Sequence, residues 1–202
     1  MSAALIVVDV QRDFCPGGAL AVPRGDEVIP TLNTYLRRAQ QHGILVYVSR
    51  DWHPQRSTHF QAYGGPWPVH CVQETAGAAF HPTLELPSNA VVVSKGMGAT
   101  DDGYSAFEAQ TDGGLFLEDA LRTEDIDCLC IGGLATDYCV RATVLEACSK
   151  GFRTILLLDG SRGVNVAPGD SERAIVEMVR AGAYVTTLEH IGKLQPELAP
   201  ER

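Results

Sequence analysis

A chain of 202 residues, 45% hydrophobic and 20% charged, has the length and composition of a globular protein with a full core of its own. A formal charge of −9 disfavours nucleic acid and anionic membrane as main partners, because both reward basic patches. No stretch approaches the ~20 apolar residues of a membrane span, and Asp9 cuts the first apolar run too short for a signal peptide.

In chain order, Leu5–Val8 is a short continuous apolar run, as expected of a strand covered on both faces. Val28–His42 places Val28, Ile29, Leu32, Tyr35, Leu36 and Ala39 at helical spacing, and Gly43 follows as a stop. Further strands are predicted at Ile44–Val48, Ala90–Ser94, Cys128–Ile131, Thr154–Leu158 and Tyr184–Thr187. Helices are predicted over Leu115–Leu121, Ala135–Lys150 and Ser171–Ala181, with Gly151 and Gly182 closing the last two. Strands alternating with helices predict an α/β fold: three layers, α/β/α, around a six-stranded, mostly parallel sheet. No internal repeat or linker divides the chain, so one domain over residues 1–202 is expected.

One segment breaks the alternation. Residues 51–88 carry four of the six histidines and the aromatics Trp52, Phe60, Tyr63 and Trp67, with no helical or strand period. A connection of that length inside a compact domain is usually functional. Asp51, His53, His59 and His70 offer one carboxylate and three imidazoles within twenty residues, a donor set suited to a divalent transition metal. Asp51 and His53, two apart, share a side of any extended segment. His81, between Phe80 and Pro82, reads as a structural loop residue.

Asp9, Asp51 and Lys95 each follow a predicted strand, and in open α/β sheets ligands bind beyond the carboxyl ends of the strands. Asp9 and Lys95 also read as a structural ion pair, which does not exclude a functional role. Gly132-Gly133-Leu134-Ala135-Thr136-Asp137-Tyr138-Cys139 runs from a strand through a turn into a helix, where the helix dipole favours a thiolate at Cys139. A cysteine in an apolar helix is ordinarily core, but Asp9 and Lys95 at the same edge turn the reading toward a nucleophile. Cys128 and Cys130, on a predicted strand, read as core. Six cysteines are too few for a disulfide scaffold, so a reducing cytoplasm is expected.

Asp9-Val10-Gln11-Arg12-Asp13-Phe14, Asp51-Trp52-His53-Pro54, Trp67-Pro68-Val69-His70-Cys71-Val72, Lys95-Gly96 and Ala135-Thr136-Asp137-Tyr138-Cys139-Val140 together resemble the nicotinamidases (also called pyrazinamidases), of the isochorismatase-like cysteine hydrolases. The resemblance runs from about residue 4 to residue 187. It implies a catalytic triad of Asp9, Lys95 and Cys139, and a metal held by Asp51, His53, His59 and His70, with zinc, iron or manganese as candidates. It implies substrate-pocket positions at Phe14, Leu20, Val22, Trp67, Tyr104, Leu134, Ala135 and Tyr138. The backbone N–H groups of Ala135 and Cys139 would form the oxyanion hole, with a cis Leu134–Ala135 peptide. The implied reaction converts nicotinamide, and pyrazinamide with it, to the free acid and ammonia through a Cys139 thioester. The alternatives are another isochorismatase-like hydrolase acting on a different small amide, or a non-enzymatic metal-binding protein. The partner implied is a small molecule, and the sequence leaves self-association open.

Overall fold

The structure, a computed structural model, describes residues 2–193 and 195–198. Met1, Leu194 and the last four residues of the expected 1–202 domain lie outside the described residues.

Seven strands form one sheet: β1 (Ala3–Val8), β2 (Leu45–Asp51), β3 (Val91–Lys95), β4 (Gln110–Thr111), β5 (Cys128–Leu134), β6 (Arg153–Arg162) and β7 (Tyr184–Thr186). Their order is β4-β3-β2-β1-β5-β6-β7, parallel throughout except for β4, which runs antiparallel to β3. The six predicted strands are present, and β4 corrects their count to seven. At two residues β4 is too short to carry a period, so nothing in its sequence could signal it.

The side chains of β1 explain the layers. Leu5 and Val7 face a core shared with α1 (Ile29–Gln41), whose Leu32, Tyr35, Leu36 and Ala39 form its buried stripe. Ala4, Ile6 and Val8 face the opposite core, built with α2 (Leu117–Thr123), α3 (Arg141–Ser149) and α4 (Asp170–Arg180). All six residues of β1 are buried, which is why that strand reads as a continuous apolar run. Burying a leucine such as Leu32 stabilises by roughly 1.5–3 kcal/mol, so the α1 stripe holds that layer without a side-chain N-cap. Pro30 presets the first turn of α1, and Gly43, at φ +66°, takes the left-handed position after its end.

Two predicted elements differ in detail. The helix expected over Ala135–Lys150 divides into a π-type segment, Thr136–Val140, and α3 proper. The apolar period runs through both, so periodicity alone could not separate them. Strand β6 continues to Arg162, past the predicted Leu158, because its register against β5 shifts between the Ile131 and Gly133 pairings. The bulge lets Asp159-Gly160-Ser161-Arg162 stay in the sheet despite their polar character.

The chain leaves β1 toward β2, β3 and β4, while β5, β6 and β7 lie on the other side. The carboxyl ends of β1 and β5 therefore flank the point where the strand order reverses, the crevice in which such sheets bind ligands.

Candidate active site

Asp9 is the first residue beyond β1. Its N–H still donates to Ser49 O (3.2 Å), but its backbone turns left-handed, at φ +50°. The strand stops there and the carboxylate is delivered to the sheet edge, fully buried. The hydroxyl of Ser49 donates to Oδ1 at 2.7 Å. Lys95 Nζ is an ion-pair partner of Oδ2 at 2.8 Å, yet Oδ2 has no aligned hydrogen-bond donor. Lys95 also donates to Asp51 Oδ1 and to the carbonyl of Gly103, and its nitrogen lies 3.6 Å from Cys139 Sγ. Ligand atoms of Asp9, Asp51 and Cys139 all fall within 4.8 Å of one another. The three residues named from strand ends and the cysteine from the β5–α3 turn thus share one centre.

That turn depends on Gly133. At φ +133°, a Cβ there would sit 2.1 Å from Val8 O, so β5 can approach β1 this closely only with glycine. Immediately beyond, the Leu134–Ala135 peptide is cis, as the family resemblance implies.

The electrostatics follow from counting buried charges. One ammonium faces two carboxylates and a thiol, all shielded from water, and it cannot balance three anions. Burial pushes the Cys139 thiol well above its ordinary range; Lys95 pulls it down, but Asp9 and Asp51 push it up. Burial and the two carboxylates therefore oppose the thiolate that the helix dipole favours at Cys139. Burial outweighs Lys95 at Asp9 and raises its carboxyl. At Asp51, burial pushes up, but the Lys95 charge and the neighbouring His53 and His70 imidazoles hold the carboxyl well below the usual range. Lys95, penalised by burial, is nevertheless raised well above its normal value by Asp51 and Asp9.

The excursion after β2 folds back through backbone links that place the imidazoles. His53 pairs with Val72 in an isolated bridge, and Phe60 pairs with Trp67. His53, His59 and His70 consequently present ring nitrogens within 4.8 Å of one another, all buried. Asp51 Oδ2 lies 3.5 Å from His53 Nε2 and 3.7 Å from His70 Nε2. His70 Nδ1 meets Pro68 O at 2.8 Å, a bond that requires Nδ1–H and leaves Nε2 as a lone-pair donor. Both nitrogens of His53 and Nδ1 of His59 are buried without a hydrogen-bond partner. Buried polar atoms are rarely left so, and a metal would satisfy them. Burial, reinforced by His53 and His70, lowers His59 to about 4, which keeps it in the neutral form that ligates. The donor set fits a divalent transition metal. Gly96, at φ +65°, lies so close that a Cβ would meet His53 Cε1 at 2.4 Å.

Between the imidazoles and Cys139 opens a narrow pocket, with a cavity volume of about 40 Å³. Phe14, Leu20 and Val22 supply one wall, Trp67, Tyr104 and Tyr138 another, and Leu134 and Ala135 lie beside Cys139. Trp67 Nε1 donates to the Tyr104 hydroxyl at 2.9 Å and meets Tyr138 edge-on, with ring centroids 5.1 Å apart. All eight expected pocket positions line this pocket, as do Asp51, His59, His70 and Cys139, while Asp9, Lys95 and His53 do not line it but neighbour residues that do.

A match to the isochorismatase domain covers residues 3–190. The chain belongs to the isochorismatase family. Within that family it is 43% identical to a nicotinamidase of Escherichia coli strain K12, over 92% of this chain and 94% of that one. It is similar to the pyrazinamidase of Pyrococcus horikoshii in complex with zinc, at 46% identity and a TM-score of 0.85, covering 93% of this chain and 99% of that one. An L. infantum structure in complex with nicotinate matches at 32% identity and a TM-score of 0.78, over 92% of each chain.

This isochorismatase-family chain also uses residues that the sequence did not single out. Ser49 orients Asp9, and it could have been found: it precedes Asp51 by two on β2 and shares its side. The Gly103 carbonyl holds Lys95, and no residue type signals a carbonyl. Asp102 lies at the rim, 3.7 Å from His59 Nδ1, and Val164 completes the pocket wall. Asp137 holds the Val164 loop by accepting from the Val164 and Asn165 N–H groups at 2.9 and 2.7 Å. His81, as expected of a loop residue, bonds locally to Thr83. Cys128 and Cys130 are fully buried in the core.

Proposed function

We propose that this protein is a nicotinamidase, hydrolysing nicotinamide to nicotinic acid and ammonia and acting on pyrazinamide by the same route. The observation that carries the reading is one narrow aromatic pocket with a buried Asp9–Lys95–Cys139 group on one side and three lone-pair-bearing imidazoles on the other. The first side suits attack on a carboxamide, and the second suits recognition of a heteroaromatic ring. The likeness to the E. coli nicotinamidase and to the nicotinate-bound L. infantum structure supports the same assignment.

The chemistry balances with the residues present. Asp9 Oδ2, free of aligned donors, accepts the thiol proton as Cys139 Sγ bonds to the carboxamide carbon and the carbonyl electron pair moves onto oxygen. We assign the N–H groups of Ala135 and Cys139 to that oxygen; one such donor is worth roughly 3 kcal/mol of transition-state stabilisation. Lys95 stays protonated, balancing Asp51 throughout and Asp9 whenever its carboxyl has given up the proton. Asp9 returns the proton to the amide nitrogen, the C–N bond breaks, and ammonia leaves a Cys139 thioester. Water then attacks the thioester and gives a proton to Asp9, the C–S bond breaks, and the thiol is restored with release of the free acid. Phe14 and Trp67 enclose the flat ring.

Asp51, His53, His59 and His70 would hold the metal, for which zinc is our assignment in line with the zinc-bound P. horikoshii relative. Its contribution when bound is a Lewis-acidic anchor for a ring nitrogen. Five of the six free cysteines are buried, which suits a reducing cytoplasm, and no helix among the described residues is long and apolar enough to cross a membrane.

The test is ammonia release from nicotinamide, pyrazinamide, benzamide and a carbamoyl amine, with metal analysis of the same sample. The reading expects strong turnover of the two nitrogen-ring amides and weak turnover of benzamide. Equal turnover of benzamide would remove the ring-nitrogen role, and no turnover of nicotinamide would remove the assignment.

A further inference from the structure

We infer that Gln11 is a positioning residue for Asp51, completing the sheet where β1 abandons it and thereby setting the carboxylate shared by Lys95 and the imidazoles. This inference rests on the reading of Asp51, His53, His59 and His70 as a metal site.

The argument starts with an unfinished ladder. The last backbone bond from the β1 segment to β2 is Asp9 N to Ser49 O, after which the chain turns away at φ +50°. Strand β2 runs two residues further, to Asp51. On its other side Asp51 is in register with Lys95, and Trp52 N donates to Lys95 O at 2.9 Å. On the β1 side, the Asp51 N–H and C=O face a place where no β1 backbone remains. The carboxamide of Gln11, fully buried, fills it. Asp51 N donates to Gln11 Oε1 at 2.8 Å, and Gln11 Nε2 donates to Asp51 O at 2.8 Å. A side-chain amide offers the same donor–acceptor pair as a peptide, so it acts as one more rung.

The second Nε2 hydrogen goes to Ala78 O at 2.9 Å, and the Gln11 backbone bridges Phe80. Gln11 therefore ties the end of β2 to the far part of the histidine-bearing excursion. Its side-chain hydrogen bonds go to Asp51 and Ala78 backbone groups and not to an imidazole or Cys139, so its effect passes through the Asp51 backbone. Asp51 has no slack for that backbone to move: Oδ1 accepts from Lys95, while Oδ2 faces His53 and His70 at 3.5 and 3.7 Å. Tilting the residue to help one pair loosens the other.

Glutamine is the side chain that this place requires. Glutamate has the same shape but offers no donor to the Asp51 and Ala78 carbonyls, and methionine offers neither donor nor acceptor. Residues that orient metal ligands from behind typically change metal affinity 10–100-fold when lost.

The experiment is a zinc titration against a competing chelator, with visible spectra of the cobalt-loaded protein, for the parent, Gln11→Met, Gln11→Glu and Asn33→Ala. Asn33 is the control: a buried carboxamide with an equivalent double bond, to Thr83 O at 2.8 Å and from Glu85 N at 2.9 Å, on α1. The expected result is a 10–100-fold rise in zinc Kd for both Gln11 variants and altered cobalt bands. Asn33→Ala should stay within about twofold of the parent, with the parent cobalt spectrum, since losing a structural clamp alone should not reach the metal. A parent that takes up no zinc fails the metal reading itself. A parent that binds zinc, beside a folded Gln11→Glu or Gln11→Met with unchanged Kd and spectrum, overturns the role of Gln11. So does equal loosening by Asn33→Ala. If only one Gln11 variant is soluble, that one decides.

Discussion

Replacing Lys95 by methionine preserves volume and removes the one cation that faces Asp9 and Asp51 in the dry centre of the site. Breaking a buried ion pair by deleting one partner typically costs about 3–5 kcal/mol, because the remaining charge is left uncompensated. For a chain of this size that corresponds to a fall in Tm of roughly 6–20 °C. The loss should depend on pH, and its sign is fixed by the carboxylates. In the parent, Asp51 is held well below its ordinary value, so it contributes stability above the unfolded pKa of about 3.9 that is lost as pH falls through the folded value. Without the ammonium, burial is the leading influence on both carboxylates and raises them, so the variant loses stability as pH rises above about 4. Lys95 itself, raised above its unfolded value of about 10.4, contributes fully throughout the neutral range and only loses that contribution in strong alkali. The gap between parent and variant should therefore widen from pH 5 to pH 8. Urea denaturation of the two metal-free proteins at both pH values measures it. A cost below about 1 kcal/mol at pH 8, or a gap independent of pH, would refute the charge-balance account.

Cys139→Ala should abolish amide hydrolysis in a folded protein, and Asp9→Asn should lower kcat by about 10²–10⁴, since an amide cannot accept the thiol proton; ammonia release under saturating substrate reads both. His53→Ala should lose most bound metal together with turnover, and chelation of the parent should become easier at acid pH as imidazoles protonate, both followed by elemental analysis. Far from the site, Leu32→Ala should cost about 2–5 kcal/mol of stability by opening a cavity under α1, with KM unchanged in the protein that remains folded.

The fold was readable wherever burial leaves a pattern. Both faces of β1 are covered, so Leu5–Val8 is uniformly apolar; α1 has one face on the core, so its stripe is helical. The pattern was silent at β4, which has two half-buried residues, and at the end of β6, where a bulge keeps polar residues in register. The site was legible for a different reason. Asp9 directly follows a buried strand and Asp51 and Lys95 end theirs, and charges are tolerated there only with partners. Gln11 escaped notice because a buried polar residue that merely hydrogen-bonds has no periodicity and no charge to betray it, whereas Ser49 was marked only by lying two residues before Asp51 on the same strand. Nor does a sequence display where a thiol's proton resides. The position of Cys139 near a helix start favours a thiolate, while burial, joined by the two carboxylates beside it, favours the thiol.

That protonation state has a consequence for how the two halves of the site cooperate. A free thiolate in a pocket built for flat electrophiles would be exposed to oxidants and stray acceptors; a thiol with its base beside it is inert until a carbonyl carbon arrives. Asp51 lies between the halves, with Oδ1 on the ammonium that balances Asp9 and Oδ2 toward the imidazoles. The residue that turns one oxygen toward the imidazoles is thus also the residue that holds Lys95 beside the thiol, 3.6 Å away. On the proposed reading, ring recognition and nucleophile activation are built on one carboxylate, and the sheet fixes it from both sides: Lys95 of β3 pairs with its backbone on one, and the Gln11 carboxamide completes the missing rung on the other. A site divided between two independent supports could drift apart by an ångström without either half noticing. Here any such shift breaks a bond on one side or the other, so the pocket keeps the spacing between ring and thiol that a single carboxamide substrate must match.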